Sequence, residues 1–560
     1  MDRPRYSVVL ITGQPPDSIA RLAERIARDV PGARITGVLQ EQSNPKRLPQ
    51  RIRNFARNLR DAAFLPYVAS RFTGRFLEML KEAGHRTLRV LHAAPRQPNG
   101  VPEVERIGLE RWLAERGAGL LRTRNPHTAE SLQFVRDLQP DLGIVFGTRI
   151  LKPELFEIPR HGSINIHKRK VPDYRGGGPI ALWELLDDRT EIGVTVHRVA
   201  VKLDAGDIIR AATIPVEPFD TLESLGLKAD VVGTDLLVLA TADYASGAVS
   251  AVQQQGTGRT FRTPPAHQMR KLRRALARRR PAHRYPSSRP AWKLWARILA
   301  LGPGAVLRNR RQRRQAGFPV VILYHHVITD RPHSLGMSTA QFRRHVDYLT
   351  RHYRILSLDD AVAALRTGRI DAPTVVLTFD DGHADNYLNV RAVTEPLGVP
   401  VTFFVCSHYI ETGEPFAHDI RAGDAGFAPM TWDQVRTLRA GGHGFGSHTR
   451  THFNCGSTDR KLLEREIIDS RAELERALGE PVPFFSFPWG HPPQMSAPAV
   501  EIALASYDCI FSACGGVNAP DAANLRKHLL RCSHPDNLME MELLLQSLLE
   551  LDPLGAKLTF

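Results

Sequence analysis

Cysteine is scarce in this chain: five residues in 560, all in the second half, with no CxxC pair. An odd number at irregular spacing (Cys406, Cys455, Cys509, Cys514 and Cys532) argues against a disulfide framework and reads as reduced, mostly structural thiols of a cytoplasmic protein. Long apolar runs are also missing, and nothing approaches the roughly 20 residues that a membrane-spanning helix requires. The opening run Tyr6–Thr12 is expected to be a strand, being too short for a secretion signal and lacking a small-residue cleavage site. There are no internal repeats. Acidic residues vanish from one stretch: between Arg259 and Arg314 there are 18 Lys and Arg and no Asp or Glu, and removing those from the formal net charge of +16 leaves −2 for the rest. The basic character is therefore local, and the flanking regions are close to neutral.

What is present is ordinary globular material, 42% hydrophobic and 24% charged, with length for two or three cores. The first half alternates apolar runs (Ser7–Thr12, Arg34–Gln40, Leu142–Phe146) with the amphipathic segment Ile19–Asp29, the pattern of an open, mainly parallel α/β sheet. Arg51–Gly84 reads as a basic helical insertion. Near Gly256 the composition shifts to Arg, Pro and Gln, and from Pro319 the α/β alternation returns with buried-strand runs Val320–Tyr324, Thr374–Phe379 and Val401–Val405. Three segments follow: a domain over 1–256, a basic, tryptophan-containing linker over 257–316, and a second domain over 317–560.

In the first domain, Asn165 and His167 stand two apart on a strand-like run and so point to one face. There an amide donor and an imidazole can hold a developing oxyanion, and Asp204, from a later loop, can orient the imidazole and relay a proton through water. This set suits transfer of an acyl group to an amine, although an Asn-x-His pair taken alone fits a structural hydrogen bond better. The blocks His161–His167, Pro172–Pro179, Gly193–His197 and Leu203–Ile209, in this order, resemble the 10-formyltetrahydrofolate-dependent formyltransferases, the family of methionyl-tRNA formyltransferase, glycinamide ribonucleotide transformylase and the sugar N-formyltransferases. The resemblance implies a Rossmann-like domain using 10-formyltetrahydrofolate as cosubstrate, with Asn165 and His167 stabilising the tetrahedral intermediate and Asp204 assisting proton transfer. It does not identify folate-binding residues. One departure is Lys168-Arg169-Lys170-Val171-Pro172, where many members have Ser-Leu-Leu-Pro. These cations point to an anionic acceptor, such as a nucleotide- or lipid-linked amino sugar, or are plain surface charge. Gly176–Gly178 lacks the strand-and-helix context of a phosphate cradle and reads as a turn shaping the acceptor pocket.

In the second domain, Asp380 and Asp381 end a buried-strand run, an unfavourable pairing of like charges unless a cation or proton compensates it. His448 and His452, four apart, are expected to be brought to one side by a helical turn. Two imidazoles and a carboxylate would leave positions open on a catalytic zinc ion, with the second carboxylate free to deprotonate water. Together with Leu323–Val327, Met430–Trp432 and Phe487–Gly490, these residues resemble the NodB-type polysaccharide deacetylases. The resemblance implies a distorted (β/α) barrel, Asp380 as catalytic base, and Asp381, His448 and His452 as ligands of a divalent metal, zinc by the donor set. Many relatives also carry an Arg-x-Pro-Tyr block whose Arg orients the base; the corresponding Phe485–Gly490 run lacks it. His534 is the candidate for the family's late general-acid histidine, with Arg531 the other residue that can occupy that position.

The two resemblances imply one substrate class, an amino-sugar nitrogen, visited twice. Deacetylation then formylation, and formylation then deformylation, both fit; the first risks a futile cycle, since a pocket rejects a smaller acyl group by only about 1 to 3 kcal/mol. The basic stretch has no recognition-helix or aromatic-sheet pattern, so nucleic acid is not the expected partner. Trp292 and Trp295 among cations read instead as an amphipathic segment attracted to anionic lipid on the cytoplasmic face.

Overall fold

The computed structural model describes residues 6–42, 108–256, 258–262, 268–272, 276, 291–520, 527–535 and 537–547, so the insertion expected at 51–84 lies outside the described residues. The chain forms two compact units that divide between residues 280 and 281.

In the first unit, strands β1 (Tyr6–Thr12), β2 (Ala33–Glu41), β3 (Gly119–Thr123), β4 (Leu142–Phe146) and β5 (Ser163–His167) run parallel. After the short β6 (Tyr174–Gly176) come β7 (Glu191–Arg198) and β8 (Ile208–Pro215), which add antiparallel and complete the order β3-β2-β1-β4-β5-β7-β8. Every residue of β1 is buried, as expected of a central parallel strand covered on both faces. Val9, Ile11, Leu39, Val135, Val145 and Phe156 form one core layer. Helix Leu222–Ser246, opened by a capping box at Thr221, packs on β7 and β8. At Gly233 of this helix a Cβ would sit 2.0 Å from Ile166 Cδ1, so glycine is what lets Ile166 of β5 pack close to it.

In the second unit, β10 (Val320–His325) is followed by a small ribbon of β11 (Val327–Ile328) and β12 (Gly336–Met337), then β13 (Arg354–Ile355), β14 (Thr374–Phe379), β15 (Thr402–Val405), β16 (Gly444–Ser447), β17 (Phe484–Ser486), β18 (Cys509–Ser512) and β19 (His528–Ser533). β10 pairs with both β14 and β19, so among the described residues seven parallel strands, β10 and β14 to β19, close a barrel with β13 beside it. Val320, Ile322, Val376, Phe404 and Phe511 belong to its core, and all five cysteines are free and buried.

Two parts of the 257–316 stretch are elements of the units rather than linker. Residues Arg259–Phe261 form β9, which pairs with β6 and stacks Phe261 on Tyr174 at 5.4 Å. Ala291–Gln315 is a helix that buries Leu294, Ile298 and Ala305 against Leu543 of the second unit. Sequence distance hid both, since each packing partner lies far along the chain.

His443, at the foot of β16, is buried, and neither ring nitrogen has a hydrogen-bond partner among the described residues. Burial, aided by the Arg391 charge, pushes its imidazole down to about 4 from 6.5. As pH falls from 6.5 to about 4, the unfolded chain takes up a proton that the folded unit refuses, so this histidine's contribution to stability is lost across that window. The urea midpoint should therefore fall between these pH values, and His443→Leu should flatten part of the slope; an unchanged slope contradicts the assignment.

Two candidate active sites

β5 ends at the carboxyl edge of the first sheet, beside the topological switch between β1 and β4 where open α/β sheets hold their ligands. Asn165 Nδ2 lies 3.4 Å from His197 Nε2 on β7, and Asp204 lies 3.6 Å from His167 Nδ1 and 3.7 Å from His197 Nε2. The three residues expected from sequence therefore meet, and His197 joins them. His197 ends the Gly193–His197 block, but an isolated strand histidine carries no sign of a site role in sequence. His167 Nε2 donates to the Tyr174 carbonyl at 2.8 Å, which leaves Nδ1, the nitrogen facing Asp204, to exchange a proton. Burial keeps the His167 pKa below its usual value, so the ring is neutral near pH 7. For Asp204 burial acts upward, but His197, the facing His167 and the Gly176 N–H at 2.9 Å hold the carboxyl below the usual range. The backbone of Asp204 has φ +49°, a left-handed conformation that costs a non-glycine residue about 1 kcal/mol or more and clusters at functional sites. Arg175 Nε and Gln254 Nε2, both donating to the Asp204 carbonyl at 3.2 and 3.0 Å, hold it there.

The cations after β5 do not form a free patch. Lys168 pairs with Asp230, Arg169 is buried and donates to the Pro179 carbonyl at 2.7 Å, and Lys170 lies 3.8 Å from Glu191. At Gly193 a Cβ would come within 2.6 Å of the Lys170 backbone, so the loop is laid directly on β7. The N–H of Gly176, at the end of β6, goes to the Asp204 carboxylate.

In the second unit the site stands at the carboxyl ends of the barrel strands. Asp380 and Asp381 follow β14 and are 4% and 1% exposed. Arg531 of β19 reaches Asp380 with two parallel bonds, Nη1 to Oδ1 at 2.7 Å and Nη2 to Oδ2 at 2.9 Å, and also donates to Ser486 Oγ at 2.5 Å. The arginine missing after Phe485 is thus supplied from the strand that closes the barrel. Asp381 Oδ1 has no hydrogen-bond partner among the described residues; His452 Nε2 lies 3.3 Å and His448 Nε2 3.7 Å from it. His448 Nδ1 donates to the Ser486 carbonyl at 2.8 Å, so its Nε2 carries the lone pair. Ligand atoms of Asp381, His448 and His452 lie within 4.8 Å of one another in a fully buried group. An orphaned carboxylate oxygen facing two imidazoles, one oriented by a carbonyl, fits a divalent ion. Burial alone would raise the Asp381 pKa, but His418, His452 and His326 hold it well below the carboxylate range.

The His448–His452 segment is not the expected helical turn. Thr449 and His452 take φ +63° and +55°, and Glu466 gathers the turn by accepting from Arg450 N–H at 3.1 Å and Thr451 N–H at 2.9 Å. Asp381 at φ +70° and Trp489 at +59° add to the left-handed residues in this unit. His534 is stacked on His325 at 4.5 Å, and burial with the neighbouring histidines drives its pKa well below 6.5. It is Arg531, three residues earlier, that engages Asp380. His383 and His418 also crowd Asp381; nothing in their sequence surroundings singled them out.

Comparison with known proteins gives the following. The formyl transferase family profile matches residues 70–241, and the polysaccharide deacetylase profile matches residues 367–503. Methionyl-tRNA formyltransferase of Listeria innocua is 35% identical over 162 residues, 29% of this chain, and the chain spans only 50% of that relative's length. Methionyl-tRNA formyltransferase of Macrococcus caseolyticus is 30% identical over 252 residues, 42% of this chain and 79% of the relative. Among solved structures, the Streptococcus pyogenes deacetylase PplD in complex with acetate aligns over 42% of this chain and 99% of its own, at 21% identity and TM-score 0.35.

Truncating Arg531 would leave a buried carboxylate without its partner. Arg531→Leu should cost about 3 to 5 kcal/mol of stability in the second unit. Arg531→Lys, which keeps the charge but not the two-pronged geometry, should fold yet lower amide hydrolysis at least about tenfold. Unimpaired hydrolysis by a folded Lys variant, measured beside its denaturant curve, would remove Arg531 from the site.

Proposed function

Because the chain belongs to the formyl transferase family and carries a polysaccharide deacetylase domain on the same polypeptide, we propose that it is a bifunctional enzyme of an amino-sugar nitrogen. It transfers formyl from 10-formyltetrahydrofolate to an amine and hydrolyses an N-acyl group, acetyl or formyl, in surface polysaccharide or glycolipid synthesis. The observation that carries this reading is that two complete side-chain sets occur on one chain: Asn165, His167, His197 and Asp204 in one unit, and Asp380–Arg531 with Asp381, His448 and His452 in the other.

In formyl transfer the amine nitrogen attacks the formyl carbon, the bond to the folate nitrogen breaks, and the amine's proton must reach that nitrogen. The Asn165 amide donates to the carbonyl oxygen as it gains charge. His167 Nδ1 and the ionised Asp204, 3.6 Å apart, take up the amine proton and pass it on. In hydrolysis a divalent ion, when bound, supplies Lewis acidity toward the amide carbonyl and acidifies water. Asp380 takes the proton of the attacking water, and Arg531 holds both its oxygens in place. The half-exposed Trp489 ring, 4.4 Å from His452, offers a flat apolar face on which a sugar can lie. His534, stacked on His325, keeps the late general-acid role as a proposal.

A second reading, methionyl-tRNA as acceptor, is favoured by the names of the relatives that match the first unit. It gives the hydrolytic site no task. A panel of nucleotide-linked amino and acetamido sugars, incubated with 10-formyltetrahydrofolate and zinc and read by mass spectrometry, separates the two. Asn165→Ala should abolish formyl gain and spare acyl loss, and Asp381→Ala the reverse. Loss of both activities from either change contradicts independent sites, and formylation of methionyl-tRNA with no sugar modified favours the second reading.

We further propose that helix Ala291–Gln315 rests on anionic membrane. Among the described residues no helix is long and apolar enough to cross a bilayer. With Leu294 and Ile298 turned inward, the opposite face exposes Trp292, Leu299 and Leu307 at 68%, 73% and 67%, beside Lys293, Arg310 and Arg314. Apolar residues flanked by cations suit a surface of acidic headgroups. Binding to vesicles containing phosphatidylglycerol should fall about tenfold or more in the triple variant Trp292→Ala, Leu299→Ser, Leu307→Ser; undiminished binding contradicts the assignment.

A further inference from the structure

The carboxylate of Asp381 has two oxygens, and only Oδ1 faces His448 and His452. Oδ2 faces His418 Nε2 at 3.5 Å, and neither ring nitrogen of His418 has a hydrogen-bond partner among the described residues. His383, two residues beyond Asp381, completes a second group: one ligand atom from each of Asp381, His383 and His418 lies within 4.8 Å of the others.

Three features of this group are those of a cation cage rather than of a hydrogen-bonded cluster. The first is spacing. Hydrogen bonds to nitrogen and oxygen run about 2.7–3.2 Å, whereas ligands bound at about 2.0–2.1 Å around a tetrahedral ion stand roughly 3.4 Å apart. The 3.5 Å between His418 and Asp381 matches the second figure, as does the 3.3 Å between His452 and Asp381 in the other group. The second is orientation. His383 Nε2 donates to Asp419 Oδ2 at 2.8 Å, the carboxylate–histidine arrangement that aims an imidazole at a metal, and Asp419 is in turn faced by His333 Nε2 at 3.5 Å. The third is an orphan. With its proton on Nε2, His383 keeps a lone pair on Nδ1, which is buried and partnerless in a side chain 0% exposed. A buried acceptor without a donor is costly, and a cation relieves it.

We infer that the second unit binds two divalent ions, with Asp381 bridging them: Oδ1 with His448 and His452 on one side, Oδ2 with His383 and His418 on the other. This rests on the metal-dependent reading of the hydrolytic site and adds a second ion to it. Two ions sharing one carboxylate place positive charge on both sides of a reacting group, as in other two-metal hydrolytic centres. A protonated His418 beside Asp381 is the alternative compensation, and it predicts one ion per chain.

Equilibrium dialysis of the full chain against zinc, with metal counted by mass spectrometry, decides between them. Wild type should hold two ions; His418→Ala should hold one, and His452→Ala, which disables the other side, should also hold one. His383→Gln serves as a second probe should His418→Ala fail to fold by circular dichroism. Cobalt-loaded wild type should show exchange-coupled ions in electron paramagnetic resonance, and the single-site variants an uncoupled high-spin signal. One ion in wild type that persists in His418→Ala overturns the second position while leaving the first intact. No ion in wild type overturns the metal-dependent reading itself.

Discussion

Two carboxylates side by side at the end of a buried strand are the constraint from which the second unit's chemistry follows. Asp380 and Asp381 are both nearly inaccessible, and adjacent buried charges of one sign are strongly unfavourable without compensation. The protein treats them differently. Asp380 receives a guanidinium across both oxygens, which anchors it. Asp381 faces imidazoles at 3.3 and 3.7 Å, and its Oδ1 has no hydrogen-bond partner among the described residues. One strand end thereby holds two carboxylates in different surroundings, and the difference comes from what the neighbouring strands bring.

The first unit solves a related problem by other means. Its carboxylate, Asp204, is held below the usual pKa range by a backbone N–H and two histidines. In both units an imidazole is fixed by donating to a main-chain carbonyl, His167 to Tyr174 and His448 to Ser486, so the other ring nitrogen carries the lone pair. Both also place a carboxylate residue in left-handed backbone, Asp204 and Asp381, where a loop leaves the sheet. Strain of this kind persists only where surrounding bonds over-determine it, and Arg175 and Gln254 do that for Asp204.

The central strands were legible because parallel strands buried on both faces read as continuous apolar runs: Thr374–Phe379 and Tyr6–Thr12 appear with the same bounds in sequence and structure. The residues that cluster were legible through their order along the chain. What was not legible depends on long-range closure. Arg531 meets Asp380 only because β19 pairs with β10 and shuts the barrel, across 151 positions. The turn from His448 to His452 has helical spacing but is set by Glu466, a residue with no motif around it. The inward face of helix Ala291–Gln315 was hidden for the same reason, since Leu543 stands far away in sequence.

Calorimetric melting of the zinc-loaded full chain, before and after treatment with a chelator, tests the compensation of Asp381 most directly. A bound ion stabilises only the folded state, by about 4 kcal/mol at a thousandfold excess over its dissociation constant. The transition of the second unit should therefore move to lower temperature on chelation and return with zinc, while that of the first stays in place. A second transition that does not move would mean that the buried carboxylate is satisfied without a metal.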